Sequence, residues 1–138
     1  MPASFGKYGF IGETKHEFEK EPTWYWMIKS VTAGMELENS KFLAHRRLVM
    51  GPEGRTELPP TAMEVAFEEI ALTFAGTNVP ADEEKPVADG GDPIIVIGTS
   101  IEEIKKTLAT FPREILMEIW RAIGASYPFW GPNDPNAI

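Results

Sequence analysis

Thr23-Trp-Tyr-Trp-Met-Ile-Lys29 is the stretch that decides the fold. Aromatic and β-branched side chains favour a pleated, half-buried surface. Alternate residues of a strand face opposite ways. Trp24, Trp26 and Ile28 therefore share one face, and Tyr25, Met27 and Lys29 the other. Elsewhere the apolar spacing is mostly helical. A strand over 23–29 in such a chain predicts an α+β fold, mainly helical, with about four helices and a small N-terminal strand or hairpin region.

Working outward, Ser30-Val-Thr-Ala-Gly34 reads as a turn, and a helix is expected over about 35–45. Its early acids Glu36 and Glu38, and its late bases His45, Arg46 and Arg47, suit the helix dipole. Strands at 46–50 and 55–58 flank Gly51-Pro-Glu-Gly54, a hairpin-turn signal. Residues 62–75 form the clearest helix. Pro59-Pro60 block it from extending backwards, and Thr61 with Glu64 predicts a capping box. Met63, Phe67, Ile70 and Phe74 recur at helical spacing, and Gly76 is the expected stop. Two more helices are expected at 100–110, opened by a Ser100/Glu103 box, and at 112–124, opened by Pro112. The predicted core is Trp26, Ile28, Leu43, Phe67, Ile70, Phe74, Ile104, Leu108, Ile115, Ile119 and Ile123.

These elements imply one domain over 22–132. Residues 1–21, Gly-rich and then charged, read as a flexible arm whose Phe5, Tyr8, Phe10 and Ile11 are able to dock elsewhere. Residues 77–93 are acidic and rich in Pro and Gly, and are expected to be a mobile linker. Ile94-Ile-Val-Ile97 then reads as a short strand-like run, and 133–138 form a tail.

Composition narrows the function. The 138 residues include no Cys, which removes disulfides, a thiol nucleophile and Cys-based metal sites. The net charge of −8 opposes nucleic acid and anionic lipid unless bases are concentrated, and adjacent bases occur only at Arg46-Arg47 and Lys105-Lys106. No apolar run approaches the length of a membrane span, and Met1-Pro-Ala-Ser-Phe-Gly-Lys7 lacks the apolar core of a signal peptide.

Motifs for chemistry are equally sparse. His16 and His45 lack the spacing of a metal-binding pair, and His16-Glu-Phe-Glu19 is followed by Lys20 where a zinc helix needs His. Gly6-Lys-Tyr-Gly9 and Gly9-Phe-Ile-Gly12 lack the Gly-Lys-Ser/Thr ending of a phosphate loop. No serine sits in a Gly-x-Ser-x-Gly elbow, and Ser100 is better explained as a helix cap. Asp82-Glu-Glu84 and Asp89-Gly-Gly-Asp92 lack calcium-loop spacing. Glu68-Glu69 and Glu102-Glu103 read as surface positions on helices.

The least expected feature is aromatic density: Trp24-Tyr-Trp26, then Tyr127, Phe129 and Trp130. Consecutive aromatics on a strand cannot all enter a one-sided core. Either the strand is covered on both faces, or one face awaits a partner. Trp and Tyr dominate interface energetics, so Trp24, Tyr25, Trp26, Phe129 and Trp130 are the candidate partner-binding residues. With no catalytic constellation in view, the residues point to binding rather than turnover, with no cofactor and no metal.

Trp24-Tyr-Trp-Met-Ile-Lys29 followed by Val31-Thr-Ala-Gly-Met-Glu36 resembles the opening of tail assembly chaperones from long-tailed bacteriophages. In that family an aromatic strand ending in Ile-Lys or a similar pair runs through a Leu-Thr-x-Gly-Glu-like turn into a helix. Here Val31 stands where Leu is commoner, and Met35 precedes the acid. The Ala75-Gly-Thr-Asn-Val-Pro80 element, the Phe111-Pro112 break and the terminal Tyr127-Pro-Phe-Trp-Gly-Pro132 also resemble the family, in order and pattern, over about residues 22–132.

The resemblance implies a non-enzymatic protein of the bacterial host cytoplasm. It would coat the tape measure protein, or another tail protein, keep it soluble during tail assembly, and leave as tube subunits arrive. Many family members are made in two lengths by a programmed frameshift. Self-association stays open; nucleic acid and membrane are not expected partners. The competing readings are a virion structural or tail/head-tail completion protein, a small host-directed binding protein, and a small enzyme using acids alone.

Overall fold

The computed structural model describes residues 12–44, 47–52, 54–58, 60–127 and 129–133. The aromatics of the arm before Gly12, His45, Arg46, Pro59 and the last residues of the tail lie outside this set. The fold is α+β. Strands β1 (Glu13–Glu17) and β2 (Tyr25–Lys29) precede α1 (Ala33–Ala44). A hairpin, β3 (Arg47–Gly51) and β4 (Gly54–Leu58), leads to α2 (Ala62–Thr73) and β5 (Phe74–Thr77). Two helices, α3 (Ile101–Leu108) and α4 (Arg113–Ser126), complete the chain before a 3-10 turn at Gly131–Asn133. The strands form two antiparallel sheets, one ordered β1-β2-β5 and the other the β3-β4 hairpin.

Helix α2 is the hub, packed against α1, α3 and α4. Its capping box forms in both directions: the Glu64 N–H donates to Thr61 Oγ1 at 3.2 Å, and the Thr61 N–H to Glu64 Oε1 at 3.3 Å. The helix stops at Thr73, two residues earlier than its apolar spacing predicts, and β5 begins at once. Phe74 still points inward, but its backbone is extended and pairs with Ile28 of β2. Tertiary pairing thus wins over helical spacing. Helix α1 also starts early, because the Thr32 hydroxyl accepts the Met35 N–H at 3.2 Å. At α3 only half of the expected box forms. Ser100 accepts the Glu103 N–H, while the Glu103 carboxylate pairs with Lys106 at 3.1 Å instead.

Two expected flexible stretches carry structure. Residues 13–17 pair with β2 along its whole length, from Glu13 opposite Lys29 to Glu17 opposite Tyr25. Charges at Glu13, Lys15 and Glu17 face outward and protect an edge strand from further pairing. The acidic stretch before Ile94 is a closed loop. Pro80 bridges Pro93, the Ala81 N–H donates to the Asp92 carbonyl at 2.9 Å, and a 3-10 turn spans Val87–Asp89. Residues 94–97 do not form a strand; Ile94 bonds Val79, and Thr99 closes a turn on Val96.

Trp26, with no exposed surface, lies at the centre of the core. Phe74 and Phe111 pack edge-on to it at 5.1 and 6.0 Å. Eight of the expected core residues are buried; Leu43, Phe67 and Ile115 are partly buried. The two adjacent acids of α2 correct the surface assignment. Glu68 is 7% exposed and pairs with Lys105, and Glu69 is fully buried. Glu69 accepts from Trp120 Nε1 at 2.9 Å, from the Gly131 N–H at 2.8 Å and from Asn39 Nδ2 at 3.2 Å. One side chain therefore ties α1, α4 and the Gly131–Asn133 turn to α2.

Near that turn the Tyr127 hydroxyl donates to Glu36. The hydrogen bond, then partial burial and the nearby negative charge, hold the Tyr127 proton above the ordinary tyrosine range. A pKa raised in the folded state adds stability that is full below the unfolded value, about 10, and is lost as pH rises through the folded one. Urea melts between pH 8 and pH 11 are expected to show this loss. Tyr127→Phe should flatten that part of the profile.

Candidate functional site

The outer face of the three-stranded sheet is open. Inward, Trp26 and Ile28 enter the core; outward, Tyr25 and Met27 stay half-buried. The Lys15 ammonium sits 4.9 Å from the centre of the Tyr25 ring. Along the β5 side the Pro93–Ile97 segment forms a wall, with Val96 57% and Ile97 74% exposed. The hollow between has a volume of about 650 Å³. Its floor depends on Gly76, whose φ of +139° is poorly accessible to other residues. A Cβ there would stand 3.3 Å from Ile97 Cδ1, so Gly76 lets that side chain lie over the sheet.

β2 is held rigidly under this face. The Tyr25 N–H donates to Asn78 Oδ1 at 2.7 Å, and the Thr77 hydroxyl to the Tyr25 carbonyl at 2.7 Å. Asn78 Nδ2 donates in turn to the Thr23 carbonyl at 2.8 Å. The Ala75-Gly-Thr-Asn-Val-Pro80 element therefore forms β5 and its side-chain lock on β2.

The remaining aromatics do not join this face. Trp24, one residue before β2 and half-buried, lines a groove against α4. Phe129 is 71% exposed and touches the Tyr127 ring at 6.2 Å. Tyr127 also lines a smaller hollow at the Lys29 end of β2, about 16 Å along the strand from Trp24 at the usual rise per residue. Trp26 and Trp130, 0% and 3% exposed, are core residues and present no surface in the folded chain. Of the five candidate binding residues, Tyr25, Trp24 and Phe129 thus reach three separate surfaces.

No protein-family model, curated protein or solved structure matches the chain.

His16 faces inward from β1, and its Nε2 lies 2.5 Å from Glu118 Oε2 of α4. Glu118 also accepts the Glu19 N–H at 3.2 Å, so this pair clamps the edge strand to the helix. Among the described residues no group of three or more His, Asp or Glu is placed to hold a metal ion, and no helix is long and apolar enough to cross a membrane. Val96 and Ile97 are the surface residues that strand reading missed. The run Ile94–Ile97 between Pro93 and Gly98 carried no signal of their exposure, because four consecutive apolar residues read equally well as a strand buried on both sides.

Proposed function

We propose that this protein is a binding protein of the tail assembly chaperone type, which covers apolar surface on a tail protein such as the tape measure during phage assembly. The observation that carries the reading is the open sheet face, where Tyr25 and Met27 lie beside the exposed Val96 and Ile97. Apolar surface of this kind, held on a rigid sheet, suits contact with a macromolecule. The charge of −8 keeps many copies dispersed while that surface stays available. The resemblance of the β2–α1 junction supplies the identity of the partner.

Co-expression with a phage tape measure protein, the long tail protein of this reading, tests it. The variant Tyr25→Ser, Ile97→Ser alters only partly or wholly exposed side chains of this face, so its melting temperature should stay within a few degrees of the parent. The soluble fraction of the long protein is expected to fall severalfold. An unchanged soluble fraction would refute the proposal. Recovery of the protein in purified finished particles would favour a virion component instead.

A further inference from the structure

The second surface is the groove, of about 580 Å³, between the Phe18–Trp24 segment and α4. Its apolar lining comes from Phe18, Trp24, Ile115 and Met117. Its two rims differ in charge. On the segment side stand Glu19 and Glu21, and on the α4 side Arg113 and Arg121. Of the remaining rim charges, Lys20 pairs with Glu114 at 3.0 Å, and Glu118 is engaged by hydrogen bonds with His16 at 2.5 Å and the Glu19 N–H at 3.2 Å. Arg113 and Arg121 are exposed and have neither a hydrogen bond nor an ion pair among the described residues. They lie eight residues apart on one helix, about 12 Å at the α-helical rise.

We infer that this groove receives an amphipathic helix of a partner protein, its apolar stripe against Trp24 and Met117 and acidic residues on the flank that meets Arg113 and Arg121. Charge complementarity selects the occupant. Two unpaired guanidiniums at that spacing match acids seven or eight residues apart on a helix laid along α4. An extended segment fits less well. The α4 wall offers side chains only, its backbone groups being bonded within the helix, so an incoming strand would find no ladder partner on that side. Nucleic acid is disfavoured because two unpaired guanidiniums match two acids but are too few to follow a run of phosphates in a chain of net charge −8. The Lys20–Glu114 pair links the two walls, but both side chains are over four-fifths exposed, and solvent screening makes such a pair easy to part.

The inference deepens the protein-binding reading and rests on it, but its site is separate from the sheet face. The test uses the full chain and two fluorescein-labelled 15-residue helical peptides with one leucine stripe, flanked by Glu in one and by Lys in the other. Fluorescence anisotropy is expected to show the Glu peptide binding at least tenfold tighter than the Lys peptide, with affinity falling as salt rises. The double variant Arg113→Glu, Arg121→Glu changes exposed side chains only and should invert the preference. Tyr25→Ser should leave it unchanged. Binding of neither peptide, equal binding of both, or a preference that survives the double variant would overturn the inference. So would a parent dimer that the double variant dissociates, since a second copy would then be the occupant. If the peptides fail while tail-protein solubility still depends on Tyr25 and Ile97, only the groove assignment falls.

Discussion

Glu69→Leu is expected to lower unfolding stability by about 3–5 kcal/mol, because it strips three buried donors of their acceptor. Leucine fills similar space but accepts nothing. The Trp120 indole N–H, the Gly131 N–H and the Asn39 amide then lose their acceptor inside the core. Each buried donor left unmet costs about 1–3 kcal/mol, whereas the relief from no longer burying a carboxylate offsets part of the sum. Glu69→Gln keeps one acceptor oxygen and sets an NH₂ group against a donor, so an intermediate loss of about 1–3 kcal/mol is expected. Urea unfolding of both variants checks the order. A Glu69→Leu protein within 1 kcal/mol of the parent would mean that the three donors find other acceptors.

The same residue shows where sequence reading stops. Glu68-Glu69 looks like a solvated pair because acids on a helix usually are, and α2 offers no local sign that it is covered on nearly every side. What was legible is what local chemistry decides. Thr61 and Glu64 announce the start of α2 through a bond each makes to the other. Trp26 and Ile28 announce the buried face of β2 through alternation. The end of α2 was not legible. Phe74 satisfies helical spacing from Ile70 and also the inward position of β5; only β2, distant in sequence, selects the second. β1 hides for the opposite reason. Its Glu13, Lys15 and Glu17 are the residues an edge strand needs, and a disordered arm has the same composition. The faint signal was the less polar alternate set, Thr14, His16 and Phe18.

The candidate site follows this division. Aromatic density marks both interfaces and cores, and it does not separate Trp130, sealed against α4, from Phe129 beside it. Placing them takes the position of the Gly131–Asn133 turn, which is set by a close contact of two glycines.

That contact yields the second large effect. Gly131→Ala is expected to cost about 3–5 kcal/mol, the range for losing a buried aromatic side chain. Gly131 has φ +76°, and a Cβ there would lie 2.6 Å from Gly124 Cα, 2.7 Å from Gly124 N and 2.8 Å from the Trp120 carbonyl oxygen. All three are backbone atoms of α4, which cannot yield without breaking the helix, so the turn must lift instead. Lifting it exposes Trp130 and parts the Gly131 N–H from Glu69. Gly124→Ala probes the joint from the other side. Its Cβ would stand 3.1 Å from the Trp130 carbonyl oxygen, and a gain of roughly 1 kcal/mol in helix propensity offsets part of the clash. It should therefore be the milder of the two in thermal melts. A Gly131→Ala protein as stable as the parent, with Trp fluorescence unshifted, would show that the Gly131–Asn133 turn does not sit on α4. Combined with Glu69→Leu, its cost should fall short of the sum of the singles. Once the turn has lifted, Glu69 has already lost one of its donors, and removing the carboxylate then strands fewer groups.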